Sequence, residues 1–364
     1  MKKPTVLLDL SEINNYSSGF GQLENNYARL FPEEAGDSLH FHYLLPPNCD
    51  KALPAQVSTT SFRRKFHKFF TKGLPAVDLW HTTNQLQLKR KCGKCTKYVL
   101  TIHDLNYLTE KGWLSRMKHH IRLQRAINRA DAVTAISQYV AKQIEREFRL
   151  GKGKKPIVIY NGVEHIEGRP AKQPAFARQR PFFFTIGQIR KKKNFQKLVE
   201  MMTYLPDYDL YICGDDHFSF ARSIRRQTAA LPTGNAFLCG KISEEEKIWL
   251  YANCRAFLFA SEGEGFGLPV IEAMQFGKAV FIANRTCLPE ICGSHAFIWD
   301  TLEAPQMAQL VKDCLPGFYQ DEERIAAEKE HAAKFSYTKH IQAYLQLYHE
   351  LLEEKENEKT KNRK

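Results

Sequence analysis

A chain of 364 residues, 43% hydrophobic and 26% charged, is too long for one ordinary domain and has the composition of a globular protein, not of a disordered or fibrous one. No run approaches the roughly 18 apolar residues that a membrane-spanning helix needs. The net charge of +13 sits almost wholly in the first half: residues 1–170 hold 27 Lys and Arg against 15 Asp and Glu, and residues 51–130 hold 17 against 3. Such a field favours an anionic partner, a membrane surface or a nucleic acid.

The start, MKKPTVLLDL, has the lysines of a signal peptide, but Asp9 breaks the apolar run, so it reads as a first strand and a cytoplasmic location is expected. Gly19-Phe20-Gly21 follows a polar loop and precedes a helical pattern from Leu23 to Phe31. HFHYLLP, DLWHTT and KYVLTIHDL are further strand candidates. IRLQRAINRA reads as an amphipathic helix running into the strand DAVTAIS, after which Ser137 caps a helix over QYVAKQIEREF. IVIYNGV closes the first half, where Tyr160-Asn161-Gly162 carries a turn pair. The second half repeats the alternation: PFFFTIG, NFQKLVEMMTYL, YDLYICG, DHFSFARSIRRQTAAL, AFLCG, EEEKIWLYANC, RAFLFAS, LPVIEAMQFG and KAVFIA. Strands alternating with helices in both halves predict an α/β chain of two parallel-sheet domains, with ligands beyond the C-terminal strand ends in a cleft between them. The expected limits are an N-terminal domain over 1–165, a linker over 166–180, a second domain over 181–337, a final helix over 338–354 and a disordered charged tail over 355–364.

Nine cysteines are scattered through these elements, and Cys92-Gly-Lys-Cys95 has no second pair at zinc spacing, so reduced, mostly buried thiols are expected. Phe62, Phe66, Phe69 and Phe70 fall on one helical face with cations opposite, and Trp113 to Arg125 is a second basic helix. Both suit an interfacial membrane contact, or else their aromatics pack into the core. Asp215-Asp216 reads as a helix cap, and no metal-binding motif stands out.

The segment from Ser261 to Gly277, SEGEGFGLPVIEAMQFG, carries the most chemistry. A strand ends, a glycine-rich turn follows, and a helix opens at Leu268-Pro269. Glycines before proline at a first helical turn suit a helix start whose free amides face an anion, though a plain tight turn has the same look.

This segment resembles the E-x7-E signature of the family 4 retaining glycosyltransferases, with Glu264 and Glu272 as its glutamates. TIGQIRKKKNFQKLVE, DLYICGD, CGKISEEEKIWLYANC, RTCLPEICGSHAFIWD, AISQYVAKQI and VIYNGVE are similar to other blocks of that family, in the same order. The resemblance implies a GT-B fold, two Rossmann-like domains, with the nucleotide-sugar donor held by the C-terminal one. It implies that Glu272 bonds the donor ribose, that Glu264 lies near the transferred sugar beside the amides of Gly265, Phe266, Gly267 and Leu268, and that Lys193, with Lys192 or Arg190, balances the diphosphate. His103, ahead of Asp104, would contact the transferred sugar or form a capping pair, and TIHDLNYL is similar to mannosyltransferase-like members. Gly19 and Gly21 would correspond to a glycine loop near phosphate or acceptor.

The resemblance further implies transfer of a hexose with retention and without a metal or other cofactor, GDP-mannose being the first guess for donor. The acceptor would be a glycan or lipid-linked saccharide of cell-surface polysaccharide, met at an anionic membrane surface on the inner face of the cell membrane, with no nucleic acid involved. A sugar-phosphorylase-like enzyme and a basic nucleic-acid-binding protein are the alternatives; the first lacks a pyridoxal lysine context and the second a recognisable module.

Overall fold

The computed structural model describes residues 3–15, 19–49, 51–62, 72–85, 87 and 94–361, with backbone alone for 355–361. It divides into two compact units, Met1–Gly162 with Tyr337–Lys364, and Val163–Ser336. Of the phenylalanine stripe, Phe66, Phe69 and Phe70 lie outside the described residues, as does Cys92; Phe62 is buried after a strand end, so it serves the core and not an outer face.

Among the described residues the first unit carries seven strands: β1 (Thr5–Asp9), β2 (His40–Leu45), β3 (Ser58–Ser61), β4 (Val77–Thr82), β5 (Cys95–Ile102), β6 (Ala132–Ala135) and β7 (Ile157–Val158), all parallel in the order β3-β2-β1-β4-β5-β6-β7. Helices α1 (Gly19–Ala35), α2 (Tyr107–Glu110), α3 (Trp113–Arg129) and α4 (Gln138–Glu147) connect them. Val6, Leu7 and Leu8 are all fully buried, because a central parallel strand is covered on both faces. The polar edge strand β3 has no hydrophobic pattern to announce it; the His42 ring holds it, 2.6 Å from Ser58 Oγ and 2.9 Å from Thr60 Oγ1. Ser137 caps α4 as expected, its Oγ accepting from Val140 N at 3.2 Å.

Helix α1 begins at Gly19, so Gly19-Phe20-Gly21 forms its first turn instead of a loop ahead of it. A Cβ on Gly21 would stand 1.9 Å from the Asn15 carbonyl oxygen, whereas one on Gly19 would meet nothing within 4 Å. Close approach of the preceding loop accounts for Gly21.

The second unit has six parallel strands, β8 (Phe182–Ile186), β9 (Asp209–Cys213), β10 (Ala236–Gly240), β11 (Ala256–Phe259), β12 (Ala279–Ala283) and β13 (Phe297–Trp299), in the order β10-β9-β8-β11-β12-β13. Its helices are α5 (Phe195–Met201), α6 (Ala221–Ala230), α7 (Glu244–Asn253), α8 (Leu268–Gln275), α9 (Leu288–Cys292), α10 (Ala304–Phe318) and α11 (Glu322–Ala333). A capping box starts α7: Ser243 Oγ accepts from Glu246 N at 3.1 Å while Glu246 accepts from Ser243 N at 2.8 Å. Asp215 and Asp216 do not cap α6, whose N-cap is Phe220. Asp216 instead accepts from Arg225 at 2.8 Å, and Asp215 meets the His217 ring at 2.6 Å. Counted within its own unit, the first sheet reads 3-2-1-4-5-6-7 and the second 3-2-1-4-5-6, the doubly wound arrangement whose crevice opens where the order reverses.

The last helix, α12 (Tyr337–Lys361), returns to the first unit. Its Ile341, Tyr344 and Tyr348 join the core of α1 and β1. Buried polar groups fix its register: His81 Nδ1 lies 2.6 Å from Tyr348 Oη, Thr101 Oγ1 lies 2.8 Å from Tyr344 Oη, and Tyr27 Oη lies 2.7 Å from His340 Nε2. The helix continues to Lys361 where a disordered tail from 355 was expected; glutamate and lysine are good helix formers and prolong a helix already anchored by its core face. Among the described residues no helix is long and apolar enough to cross a membrane.

Candidate active site

The candidate site of the second unit stands at the C-terminal ends of β8 and β11, where the strand order reverses. After β8 the chain makes a tight turn over Lys191–Lys193 and ends it at Asn194, which adopts a left-handed conformation, φ 53°, that asparagine tolerates. Asn194 Nδ2 donates to the Ala260 carbonyl at 3.1 Å, and Glu262 N donates to the Lys192 carbonyl at 2.8 Å. These two bonds stitch the β8 loop to the β11 loop.

Across that seam Lys193 Nζ donates to the Glu264 carboxylate, and Ser261 Oγ donates to the same oxygen at 2.6 Å. Both side chains of the ion pair are mostly buried, 14% and 15% exposed. The Lys193 ammonium also lies 5.0 Å from the centre of the Phe259 ring. Of the loop's other three cations, the Lys192 stem packs along Gly263 and the Arg190 guanidinium stacks 4.2 Å from the centre of the Phe218 ring.

Below the loop, α8 opens as the sequence suggests. Gly267 precedes it at φ 103°, and a Cβ there would also stand 2.9 Å from Leu288, so glycine is required twice over. Pro269 occupies the first turn. Phe266 is buried and packs edge-to-face on Phe335 at 5.5 Å, so its ring serves the core and only its backbone belongs to the turn. The Cys287 thiol donates to the carbonyls of Phe266, at 3.2 Å, and Glu264, at 3.4 Å. Burial raises its pKa, which keeps the sulfur protonated and donating.

Glu272 lies one turn into α8 and is held by two residues of α7: Lys247 Nζ donates at 3.1 Å and Tyr251 Oη at 2.8 Å. Burial alone would lower the pKa of Lys247, but the Glu272 and Glu244 carboxylates outweigh it and hold the ammonium charged. Lys247 and Tyr251 escaped the sequence analysis. Their four-residue spacing places them on one face of α7, a signal that the apolar neighbours in EEEKIWLYANC obscured.

In the first unit, His103 follows β5 and is buried. Its Nε2 donates to the Thr83 carbonyl at 2.9 Å, and its own amide donates to Gln85 Oε1 at 3.0 Å. Burial pushes its pKa down to about 4, with the Thr83 carbonyl acting the other way, so the ring is neutral at pH 7. With the proton on Nε2, Nδ1 is left as an acceptor. Nearby, Glu24 of α1 accepts from Glu12 N at 2.7 Å, Gln87 Nε2 at 3.0 Å and Asn84 Nδ2 at 3.1 Å, tying the loops after β1 and β4 together. This buried carboxylate also went unremarked in the sequence.

One group of possible metal ligands occurs among the described residues: atoms of Asp215, Asp216 and His217 lie within 4.8 Å of one another. Arg225 on Asp216 at 2.8 Å and Lys241 near Asp215 at 3.6 Å already balance much of its charge.

The doubly wound sheets, the cation–carboxylate pair at a strand-order reversal and the glycine-led helix define an α/β enzyme of the GT-B kind. Residues 169–329 match the family model of glycosyl transferases group 1, and residues 25–166 that of glycosyltransferase family 4. Together the two matches take in most of both units, and the chain belongs to the family 4 glycosyltransferases. It is 28% identical over 267 residues to the serotype-specific mannosyltransferase WbdA of Escherichia coli, covering 66% of this chain and 32% of that protein. It is 25% identical over 218 residues to the O-antigen chain mannosyltransferase B of Escherichia coli, covering 56% of this chain and 57% of that one. The chain thus spans about a third to somewhat over half of the length of these relatives. In fold it is similar to sucrose-phosphate synthase from Thermosynechococcus elongatus, with a TM-score of 0.75 at 18% identity over 96% of this chain and 99% of that one. It is similar also to Anabaena HepE in complex with UDP and glucose, with a TM-score of 0.71 at 16% identity over 95% and 100%.

Proposed function

We propose that the protein moves a hexose, mannose foremost, from a nucleoside-diphosphate sugar to a glycan or lipid-linked saccharide in cell-surface polysaccharide synthesis, with retention at the anomeric carbon. The observation that carries this reading is the Lys193–Glu264–Ser261 cluster at the strand-order reversal, directly before the start of α8. An ammonium and a helix start on one side, with carboxylates at Glu264 and Glu272, suit a diphosphate flanked by two sugars. The likeness to O-antigen mannosyltransferases supports the substrate class.

In the proposed reaction Glu272 accepts from the ribose hydroxyls, and Glu264 with the amides of residues 265–268 orients the transferred sugar. Lys193, with Lys192 or Arg190, balances the diphosphate. The bond from the anomeric carbon to the diphosphate oxygen breaks, its electron pair leaving with the phosphate. The acceptor oxygen bonds to that carbon on the same face, and its proton passes to the departing phosphate oxygen. Fixed cations stabilise the charge that develops there, and the scheme draws on no metal. His103, in the first unit, offers a neutral Nδ1 to a sugar hydroxyl. The basic first unit meets an anionic membrane surface on the cytoplasmic side, where lipid-linked acceptors are held.

A nucleotide-sugar panel tests the reading. GDP-mannose is expected to raise the unfolding midpoint, since a ligand present at 100 times its Kd stabilises by about 2.7 kcal/mol. GDP release should then depend on added saccharide acceptor. If no nucleotide sugar stabilises the protein and none is consumed, the proposal fails.

A further inference from the structure

Helix α3 displays an apolar surface where a solvated helix normally displays none. Trp113 is 64% exposed, Leu114 69%, Met117 44% and Ile121 45%, and these are four of the seven large hydrophobic residues exposed among the described residues. At about 100° per residue, the four fall within an arc of about 100° on one side of the helix. Leu123, Ala126 and Ile127, the buried residues of α3, point to the other side and hold the helix on the unit. The outward stripe is therefore a second apolar face, not the edge of the core-facing one.

The charges around it have one sign. Residues 111–130 contain six Lys and Arg, two His and no Asp or Glu. Lys118, Arg122 and Arg125 form a band bordering the apolar arc, and no ion pair engages them among the described residues. Lys111 lies against the His119 ring at 2.7 Å and Arg116 is bonded to the Leu108 carbonyl at 3.2 Å, so the start of the helix is braced. A tryptophan at the N-terminal end, thioether and aliphatic side chains along the stripe, and a flanking row of cations are the components of an interfacial helix. The aromatic and aliphatic groups enter the acyl boundary while the cations meet anionic headgroups. A soluble polyanion would be served by the cations alone and would leave the apolar stripe in water.

We infer that α3 is the surface by which this protein docks on an anionic lipid bilayer, with Trp113, Leu114, Met117 and Ile121 inserted and Lys118, Arg122 and Arg125 at the headgroups. This rests on the membrane-facing part of the proposed function and names the element that carries it. The occupant is lipid, and a polyanionic glycan or a nucleic acid is the competing outcome.

The test uses the full chain with vesicles of phosphatidylglycerol and phosphatidylcholine, against vesicles of phosphatidylcholine alone. Co-sedimentation should require phosphatidylglycerol and weaken as salt rises, because headgroup attraction is screened. Acyl-brominated lipid should quench tryptophan emission, and Trp113→Phe should remove that quench while most sedimentation remains; Trp80 and Trp299 are buried, and any signal from the half-buried Trp249 of the second unit persists in Trp113→Phe and is subtracted. Met117→Ser with Ile121→Ser should lower the partition coefficient at least about tenfold, a loss in keeping with two apolar side chains withdrawn from the interface. Circular dichroism checks that these exposed substitutions leave the helix intact, and hydrolysis of soluble donor, expected to be unchanged, separates failure of docking from failure of the glycosyltransferase reading. Absence of sedimentation at low salt overturns the inference. So does sedimentation without quenching, or equal binding to a soluble polyanion that is indifferent to Met117 and Ile121.

Discussion

Lys247 Nζ stands between two carboxylates, 2.8 Å from Glu244 and 3.1 Å from Glu272, with only 11% of its side chain exposed. Glu272, the residue assigned to the donor ribose, is thus held in place from α7 before any ligand arrives. Glu272→Gln should keep the fold and weaken nucleoside-diphosphate binding by about 1.5–3 kcal/mol, the worth of a hydrogen bond to a charged group. Calorimetry showing unchanged affinity would remove Glu272 from the donor site. Lys247→Met should instead lower stability by about 1–3 kcal/mol, since it leaves a mostly buried carboxylate without its cation though still bonded to Tyr251. Denaturant titration measures that loss.

Lys193 and Glu264 neutralise each other in the absence of ligand. A diphosphate claiming Lys193 must therefore compete with Glu264. Glu264→Gln is expected to bind free nucleoside diphosphate more tightly than the parent protein, by roughly 1 kcal/mol, while turning over more slowly. Lys193→Ala should weaken the diphosphate more than the nucleoside, by about 1–3 kcal/mol. Equal losses for both ligands would place Lys193 away from the phosphates.

Three histidines of the first unit are buried with pKa values pushed down by burial, His81 to about 3 and His103 and His340 to about 4. Folded, they stay neutral between pH 6.5 and pH 4; unfolded, they take up protons below about pH 6.5. The unfolded state then binds more protons, so stability is full above pH 6.5 and falls as the pH drops, by about 1.4 kcal/mol per unit for each histidine. Urea titrations at pH 7, 6 and 5 should show this decline, and His81→Gln should make it shallower. A midpoint independent of pH over this range would contradict the buried, neutral assignment. By the same reasoning, no inflection near pH 6.5 in kcat/KM is expected from His103.

Gly19 and Gly21 differ although both open α1. Gly21→Ala drives a methyl group into the Asn15 carbonyl and should cost several kcal/mol, of the order seen for overpacking or worse. Gly19→Ala has open space and should leave stability within about 1 kcal/mol. If Gly19→Ala lowers activity without lowering stability, that first turn touches a ligand; if it changes neither, its glycine is incidental.

The alternation of strands and helices, the glycine-led start of α8 and the basic turn after β8 were legible because each rests on local chemistry. A buried parallel strand must be apolar throughout, a left-handed residue before a helix favours glycine or asparagine, as at Gly267 and Asn194, and a first helical turn accepts proline. The edge strand β3 was not legible, because at an edge hydrogen bonds from His42 replace the apolar pattern. Lys247, Tyr251 and Glu24 were hidden for a related reason: their partners lie 25, 21 and up to 63 residues away in the chain. By itself the sequence determined the class of fold, the order of its elements and which residues could carry charge to a phosphate. Only the tertiary structure decided that Lys193 faces Glu264 while Arg190 stacks on Phe218, that α12 completes the first unit, and that α3 turns an apolar stripe outward. Each depends on which distant surface a side chain meets, and burial and pairing across loops are set by the packed chain as a whole.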